Sequence, residues 1–222
     1  MIELVSLSGS FNKTSSDCSY HYVSGDQGII VMRISDNKEV AYATISGIND
    51  IISGDSQVFL GTTSGVLYFN KKENWQQQNF QDDVSFHSRF PDLISEEVLS
   101  LATDSDHFLL VGTTSGVTLV SGGNYFSSDE FDNVKAVGIS EDRRLYYGGD
   151  FGLAAKRTTV TGSWTSDYLL DDTTIPPMFP VSAITLTEDN NKRVIAAATD
   201  TGVLIIKEEE IVGNSSIIQL LT

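Results

Sequence analysis

Residues Val58–Phe69 read VFLGTTSGVLYF, and fifty-one positions later Leu109–Val120 read LLVGTTSGVTLV. In both, Gly-Thr-Thr-Ser-Gly separates two short apolar runs. Such a string could cradle a phosphate, but no Gly-Lys-Ser/Thr follows. The next element is strand-like, not a helix whose N-terminus could hold an anion. The alternative is a hairpin turn with two polar central residues and a glycine in the left-handed conformation that a type I turn with a bulge requires. Three diluted copies favour the turn. SGDQGI ends at Ile29, GGDFGL at Leu153 and ATDTGV at Val203. The second glycines, Gly28, Gly65, Gly116, Gly152 and Gly202, therefore stand 37, 51, 36 and 50 residues apart.

Strand-like runs flank every turn. SYHYV, QVFL, HFLLV, RLYY and RVIAAA precede them; IIVMRI, VLYF, VTLV, LAAK and VLII follow. A further strand lies upstream of each hairpin (ELVSLSG, INDIISGDS, VLSLATDSD, VKAVGISED, VSAITLTED). A more polar one lies downstream (KEVAYATI, NWQQQNF, NYFSSDEF, SWTSDYLL, SSIIQLL). Four antiparallel strands in roughly 44 residues, repeated five times, are the signature of a β-propeller. The fold expected is all-β: one five-bladed propeller of four-stranded antiparallel blades, with blades near 1–46, 47–94, 95–132, 133–178 and 179–222. Two patterns agree with it. The second and third strands are almost continuously apolar, as blades covered on both faces demand. The first strands carry small residues where they converge on the axis (Ser100, Ala102, Ala136, Gly138, Ser182, Ala183). No strand is left over to lace the ring, so closure is expected from packing of blade five on blade one, without strand exchange.

Thirty acidic against fourteen basic residues give a net charge of −16. That field repels phosphate backbones and anionic headgroups, so neither nucleic acid nor membrane is an expected partner. No apolar run approaches the length of a transmembrane helix, and the N-terminus lacks the cationic start and apolar stretch of a signal peptide. Cys18 is the single cysteine, which excludes an intrachain disulfide and thiolate metal clusters. The acidic turns TDSDH and TEDNNK lack the glycine and terminal glutamate of a calcium loop. His21, His87 and His107 fall in different units. No nucleophile elbow or paired-carboxylate arrangement emerges. The expectation is a protein without enzymatic activity, cofactor or metal.

The units FPDLISEEVLSLATDSDHFLLVGTTSGVTLV and FPVSAITLTEDNNKRVIAAATDTGVLII resemble the propeller repeat in the sensor regions of two-component regulators. That pattern runs from a proline-containing approach through an apolar strand and an acidic turn to a strand ending Gly-Thr-x-x-Gly. Leu60, Leu110 and Ala197 stand where that repeat has tryptophan. The resemblance implies the propeller fold. Small propellers with drifted repeats are also similar to virion components such as those of bacteriophage tails, which implies a place in an assembly and a virion or cytoplasmic location.

Units two and four are longer than the rest and gain the extra residues after the fourth strand, at Gln81–Glu97 and Asp171–Val181. In a propeller this connection emerges beside the second-to-third-strand turn. Phe86, His87, Arg89, Phe90, Met178 and Phe179, with the turn residues Thr63, Ser64, Thr114 and Ser115, are the candidate protein-binding face. Apolar residues in loops need something to bury against. Trp75, Trp164 and Tyr125, in outer strands, are candidates for stacking on a glycan or for packing on the next blade.

Overall fold

The computed structural model describes residues 11–76, 78–84, 90–104, 108–140, 144–157, 180–189, 192–209 and 217–221. Five antiparallel sheets follow one another along the chain. Blade one holds β1 (Phe11–Ser16), β2 (Tyr20–Gly25), β3 (Gly28–Arg33) and β4 (Lys38–Ala43). Blade two holds β5 (Ile48–Ser53), β6 (Gln57–Thr62) and β7 (Gly65–Asn70). A two-residue strand, β8 (Gln78–Asn79), comes next in the sequence. Blade three holds β9 (Val98–Thr103), β10 (Phe108–Thr113), β11 (Gly116–Ser121) and β12 (Asn124–Ser128). Blade four holds β13 (Ala136–Ile139), β14 (Arg144–Gly149) and β15 (Gly152–Arg157). Blade five holds β16 (Val181–Asp189), β17 (Lys192–Thr199), β18 (Gly202–Glu209) and β19 (Ile217–Leu221). The inner strands β1, β5, β9, β13 and β16 pack on one another in that order. The molecule is an all-β propeller fold, and among the described residues no strand is exchanged between blade five and blade one.

Two strands differ from expectation. The inner strand of blade one is Phe11–Ser16; the ELVSLSG segment lies outside the described residues. The segment NWQQQNF does not complete blade two. Its Gln78 and Asn79 pair in parallel with Ala41 and Tyr42 on the outer edge of blade one. The cause is hydrophobic: Trp75 and Phe80, on either side of β8, drop into the core between blades one and two. There their ring centroids stand 4.9 Å apart, and that of Phe69 lies 4.9 Å from Phe80. Burying two aromatic side chains outweighs a fourth strand on blade two. The segment SWTSDYLL lies outside the described residues.

Faces alternate strictly from blade to blade. Tyr22 and Val31 meet Leu60 and Phe69 across the first interface, while Phe59 and Val66 point the other way to meet Leu109 and Val111. Leu110 and Leu119 then meet Leu145 and Tyr147, and Tyr146 and Ala155 meet Ile195 and Ile206. Polar groups near the axis bridge consecutive blades. Ser15 Oγ accepts a bond from the Ser53 amide at 2.9 Å, Asn49 Nδ2 donates to the Val98 carbonyl at 2.8 Å, and Ser100 Oγ donates to the Val134 carbonyl at 3.0 Å.

Candidate functional site

Each second-to-third-strand hairpin is closed by two residues: Asp26-Gln27, Thr63-Ser64, Thr114-Ser115, Asp150-Phe151 and Asp200-Thr201. The glycine that follows has positive φ in all five blades: 130° at Gly28, 113° at Gly65, 137° at Gly116, 101° at Gly152 and 154° at Gly202. Space selects glycine as well. A Cβ on Gly28 would collide with the Ala43 carbonyl oxygen, and one on Gly116 with that of Ser128, the end of the outer strand in each blade. The recurring motif is a structural turn. Most of its tip residues are exposed.

Antiparallel connectivity puts the start of every inner strand at the same end of its blade as this turn. Four inner strands carry a register shift there, at Asn12, Asn49, Leu99 and Ser182. Bulges at strand ends re-aim side chains, and the one at Asn49, together with the Asp50 that follows it, stiffens the face. Beyond the Asn49 contact, Asp50 receives the Leu101 amide on Oδ2 at 2.7 Å and the Ile51 amide on Oδ1 at 3.0 Å, with Lys13 Nζ at 4.0 Å. Burial pushes the Asp50 carboxyl above its ordinary range, and those amides and Lys13 offset only part of the shift. Sequence reasoning missed Asn49 and Asp50. The available signal was a polar pair inside the apolar inner strand INDIIS.

The described end of the connection Gln81–Glu97, residues 94–97, comes down on the turn face. Ser95 Oγ lies 3.0 Å from Thr114 Oγ1, the Ile94 amide donates to Thr118 Oγ1 at 3.2 Å, and the Thr114 amide donates to the Glu97 carbonyl. Asn133 and Val134, on the way to blade four, donate to the carbonyls of Thr114 and Thr113. The turn of blade three is therefore clamped on both sides, leaving Ser115 exposed, whereas Thr63 and Ser64 of blade two are both open to solvent.

Phe90 is not an exposed anchor. It is 7% exposed and packs edge-on against Phe59 and Tyr68, at 6.4 and 6.3 Å between centroids, because the core between blades two and three is open at its rim without it. Trp75 is not a stacking platform. It is 3% exposed, with Phe69 and Phe80 against its ring and Lys72 Nζ 5.0 Å from its centroid. Tyr125 is half-buried and packs on the same core as Phe90. Phe86, His87, Arg89, Trp164, Met178 and Phe179 lie outside the described residues. At blade four the tip is aromatic: Phe151 stacks on Phe131 at 4.3 Å, while its neighbour Asp150 pairs with Lys135 at 2.6 Å.

Among the described residues no group of histidine, cysteine and acidic side chains is arranged to hold a metal. His21 Nδ1 lies 2.7 Å from Ser16 Oγ, and His87 and His107 lie outside the described residues. Asp104, in one of the acidic turns, accepts the Phe108 amide at 3.0 Å and so caps its own turn. No helix among the described residues is long and apolar enough to cross a membrane.

No family profile matches the chain. No curated protein matches it either. Solved structures do. The chain aligns over 99% of its length, at 15% identity and a TM-score of 0.67, with the extracellular domain of a one-component system, BT4673, from B. thetaiotaomicron. Over 97% of its length, at 14% identity and a TM-score of 0.58, it aligns with that of a hybrid two-component system, BT3049, from the same organism. It also aligns over 88% of its length with the computationally designed Ika8 protein, at 16% identity and a TM-score of 0.61. It spans 28%, 32% and 57% of those chains. The likeness is one of fold, and it includes domains of the regulator class that the repeat resembles.

Proposed function

We propose that the chain is a non-enzymatic binding domain, a propeller scaffold that engages another protein through its hairpin-turn face. One observation carries this reading. Five two-residue tips, held in place by glycine geometry, present Asp26, Ser64, Ser115, Asp150 and Asp200 from a single face, with residues 94–97 packed beside the third. A rigid scaffold presenting short exposed tips is how loop-built binding surfaces are made. Its acidic tips and a net charge of −16 favour a partner offering cationic groups and speed its approach at low salt. Extracellular domains of one- and two-component systems among the neighbours support ligand or protein binding as the use of such a fold. The finer form of the reading, a component of an assembly such as a bacteriophage virion, rests on the sequence resemblance alone. The burial of Trp75 removes one of the three residues offered for a glycan site, and Trp164 lies outside the described residues.

Cross-linking in the native source followed by mass spectrometry identifies the partner. Purified chain then binds it with an affinity that falls as salt rises. The variant Asp26→Lys/Ser64→Arg/Asp200→Lys loses binding, whereas Asp36→Lys/Asp55→Lys, on turns of the opposite face, keeps it. Loss confined to the second variant overturns the assignment of the face.

A further inference from the structure

In four blades the tip residue before the turn glycine is polar: Gln27, Ser64, Ser115 and Thr201. Blade four has Phe151 there. The turn itself does not ask for a phenylalanine, because Gly152, at a φ of 101°, meets its backbone requirement. Phe151 instead stacks on Phe131, from the connection between blades three and four, with centroids 4.3 Å apart and planes 23° from parallel. Buried Tyr147 stands beside both rings, at 6.3 and 5.9 Å. Closing the core at this rim does not need two rings. At the interface before it a single loop ring, Phe90, covers the rim and is 7% exposed in doing so. Phe131 and Phe151 both stay half-buried, so aromatic surface remains on the turn face.

The charges around that surface have one sign left over. Lys156 is taken by Glu130 at 2.7 Å and Lys135 by Asp150 at 2.6 Å. Asp129 and Asp132, on either side of Phe131 in the chain, are exposed and form no ion pair among the described residues. The Asp129 Cα lies 3.2 Å from where a Cβ on Gly116 would stand, which sets this residue beside the tip of blade three. Lys72 covers the Trp75 ring, whereas no cation among the described residues stands over Phe131 or Phe151. Given a binding role for the turn face, we propose that this pair of rings is its anchor point and takes an arginine side chain of the partner protein, the guanidinium stacking on the rings and pairing with Asp129 or Asp132. Arginine fits better than lysine. Its planar, weakly hydrated head stacks on a ring while still donating to a carboxylate, and an ammonium must shed tightly held water to do the same. An apolar anchor would bring the two carboxylates under a partner with nothing to pair them.

The probe is a short blocked peptide, acetyl-Gly-Arg-Gly-Arg-Gly-amide, compared with its counterpart carrying lysine at both basic positions. Each is titrated at low salt into isotopically labelled protein, and amide shifts are followed by nuclear magnetic resonance. The arginine peptide saturably shifts Phe131, Asp132, Phe151 and Gly152, and it binds about two- to fivefold more tightly than the lysine peptide, the ratio an exposed cation–π contact supplies. Phe151→Leu keeps an apolar tip and abolishes that preference, Phe151→Tyr retains it, and Asp129→Asn/Asp132→Asn weakens both peptides. Should Phe151→Leu lose its near-ultraviolet circular dichroism signature, Phe131→Leu carries the same expectation. Equal affinity for the two peptides, shifts confined to the tips of Asp26 and Asp200, or an undiminished preference in the leucine variant overturns the anchor. The cross-linked partner separates this from the wider reading. If Asp26→Lys/Ser64→Arg/Asp200→Lys loses it and Phe151→Leu binds it unchanged, the face stands and the anchor falls. The reverse pattern keeps the anchor and removes the charged tips, and a partner kept by both variants removes both.

Discussion

Thr62, Thr113 and Thr199 occupy one place in three blades, and each hydroxyl does two jobs. It donates to the carbonyl of the turn glycine at 2.9 Å in all three, and it accepts the amide of the second tip residue at 3.1 to 3.3 Å. The first threonine of Gly-Thr-Thr-Ser-Gly is thus structural, and the next two residues are the ones offered to solvent. Thr113 is fully buried, so Thr113→Val preserves shape while leaving a buried carbonyl and an amide unpaired. Urea unfolding should show a loss of about 1–3 kcal/mol. The glycines separate two effects. Gly116→Ala meets both a φ of 137° and the Ser128 carbonyl, whereas Gly122→Ala meets a φ of 56° in open space. Gly122→Ala should cost about 1 kcal/mol and Gly116→Ala clearly more, measured in the same way.

Asp17 illustrates charge at this scale. Burial alone would raise its pKa. The amides of Ser19 and Tyr20, the Tyr22 hydroxyl at 2.7 Å and Lys71 at 3.3 Å override that and hold it below the ordinary carboxylate value. A carboxyl with a depressed folded-state pKa contributes stability above its unfolded value and loses it as pH falls through the folded one. Asp17→Asn should therefore destabilise the protein at neutral pH, and the gap from wild type should close as melts are repeated from about pH 5 downward.

At the scale of elements, the chain that leaves β7 acts as a strap. Lys71 ties to Asp17, the Tyr20 hydroxyl donates to the Glu73 carbonyl, Trp75 and Phe80 fill the first interblade core, and the Phe80 amide donates to the Tyr42 carbonyl. Blade two is thereby stitched to blade one from outside, while Asn49 and Asp50 stitch it to blade three from within. Trp75→Ala should cost about 3–5 kcal/mol in thermal or denaturant unfolding. Trp75→Phe should cost far less, because it also removes a buried indole N–H that has no acceptor among the described residues. A sugar-stacking role would instead leave stability untouched and remove glycan binding. The sequence made the hairpins legible because turn chemistry is local: a glycine at a fixed offset between two apolar runs has few other solutions. It did not make the strap legible. Whether NWQQQNF extends its own blade or crosses to its neighbour depends on where two aromatic rings find a cavity, which is tertiary information. For the same reason Phe90, a loop residue by pattern, turned out to be core, while the exposure of Thr63 and Ser64 followed directly from the turn.

For the whole molecule, the arrangement is close to one-dimensional. Each blade touches its sequence neighbours, so stability is approximately a sum of blade and interface terms. Blade three contributes to two complete cores, and the central residues of β10 are fully enclosed, with Leu110 and Val111 at 0% exposure. Among the described residues, blades one and five each contribute to one. Local opening should therefore be graded along the chain, because the free energy of opening a unit tracks the apolar contacts it must break. In dilute solution, hydrogen exchange followed by mass spectrometry should find peptides from β10 and β11 best protected. Peptides from β17 and β18 should exchange sooner, and those from β2 and β3 should lie between, because the strap reinforces blade one. Uniform protection in dilute solution would mean that blade five closes on blade one within a single chain, and the additive picture would give way to a cooperative ring.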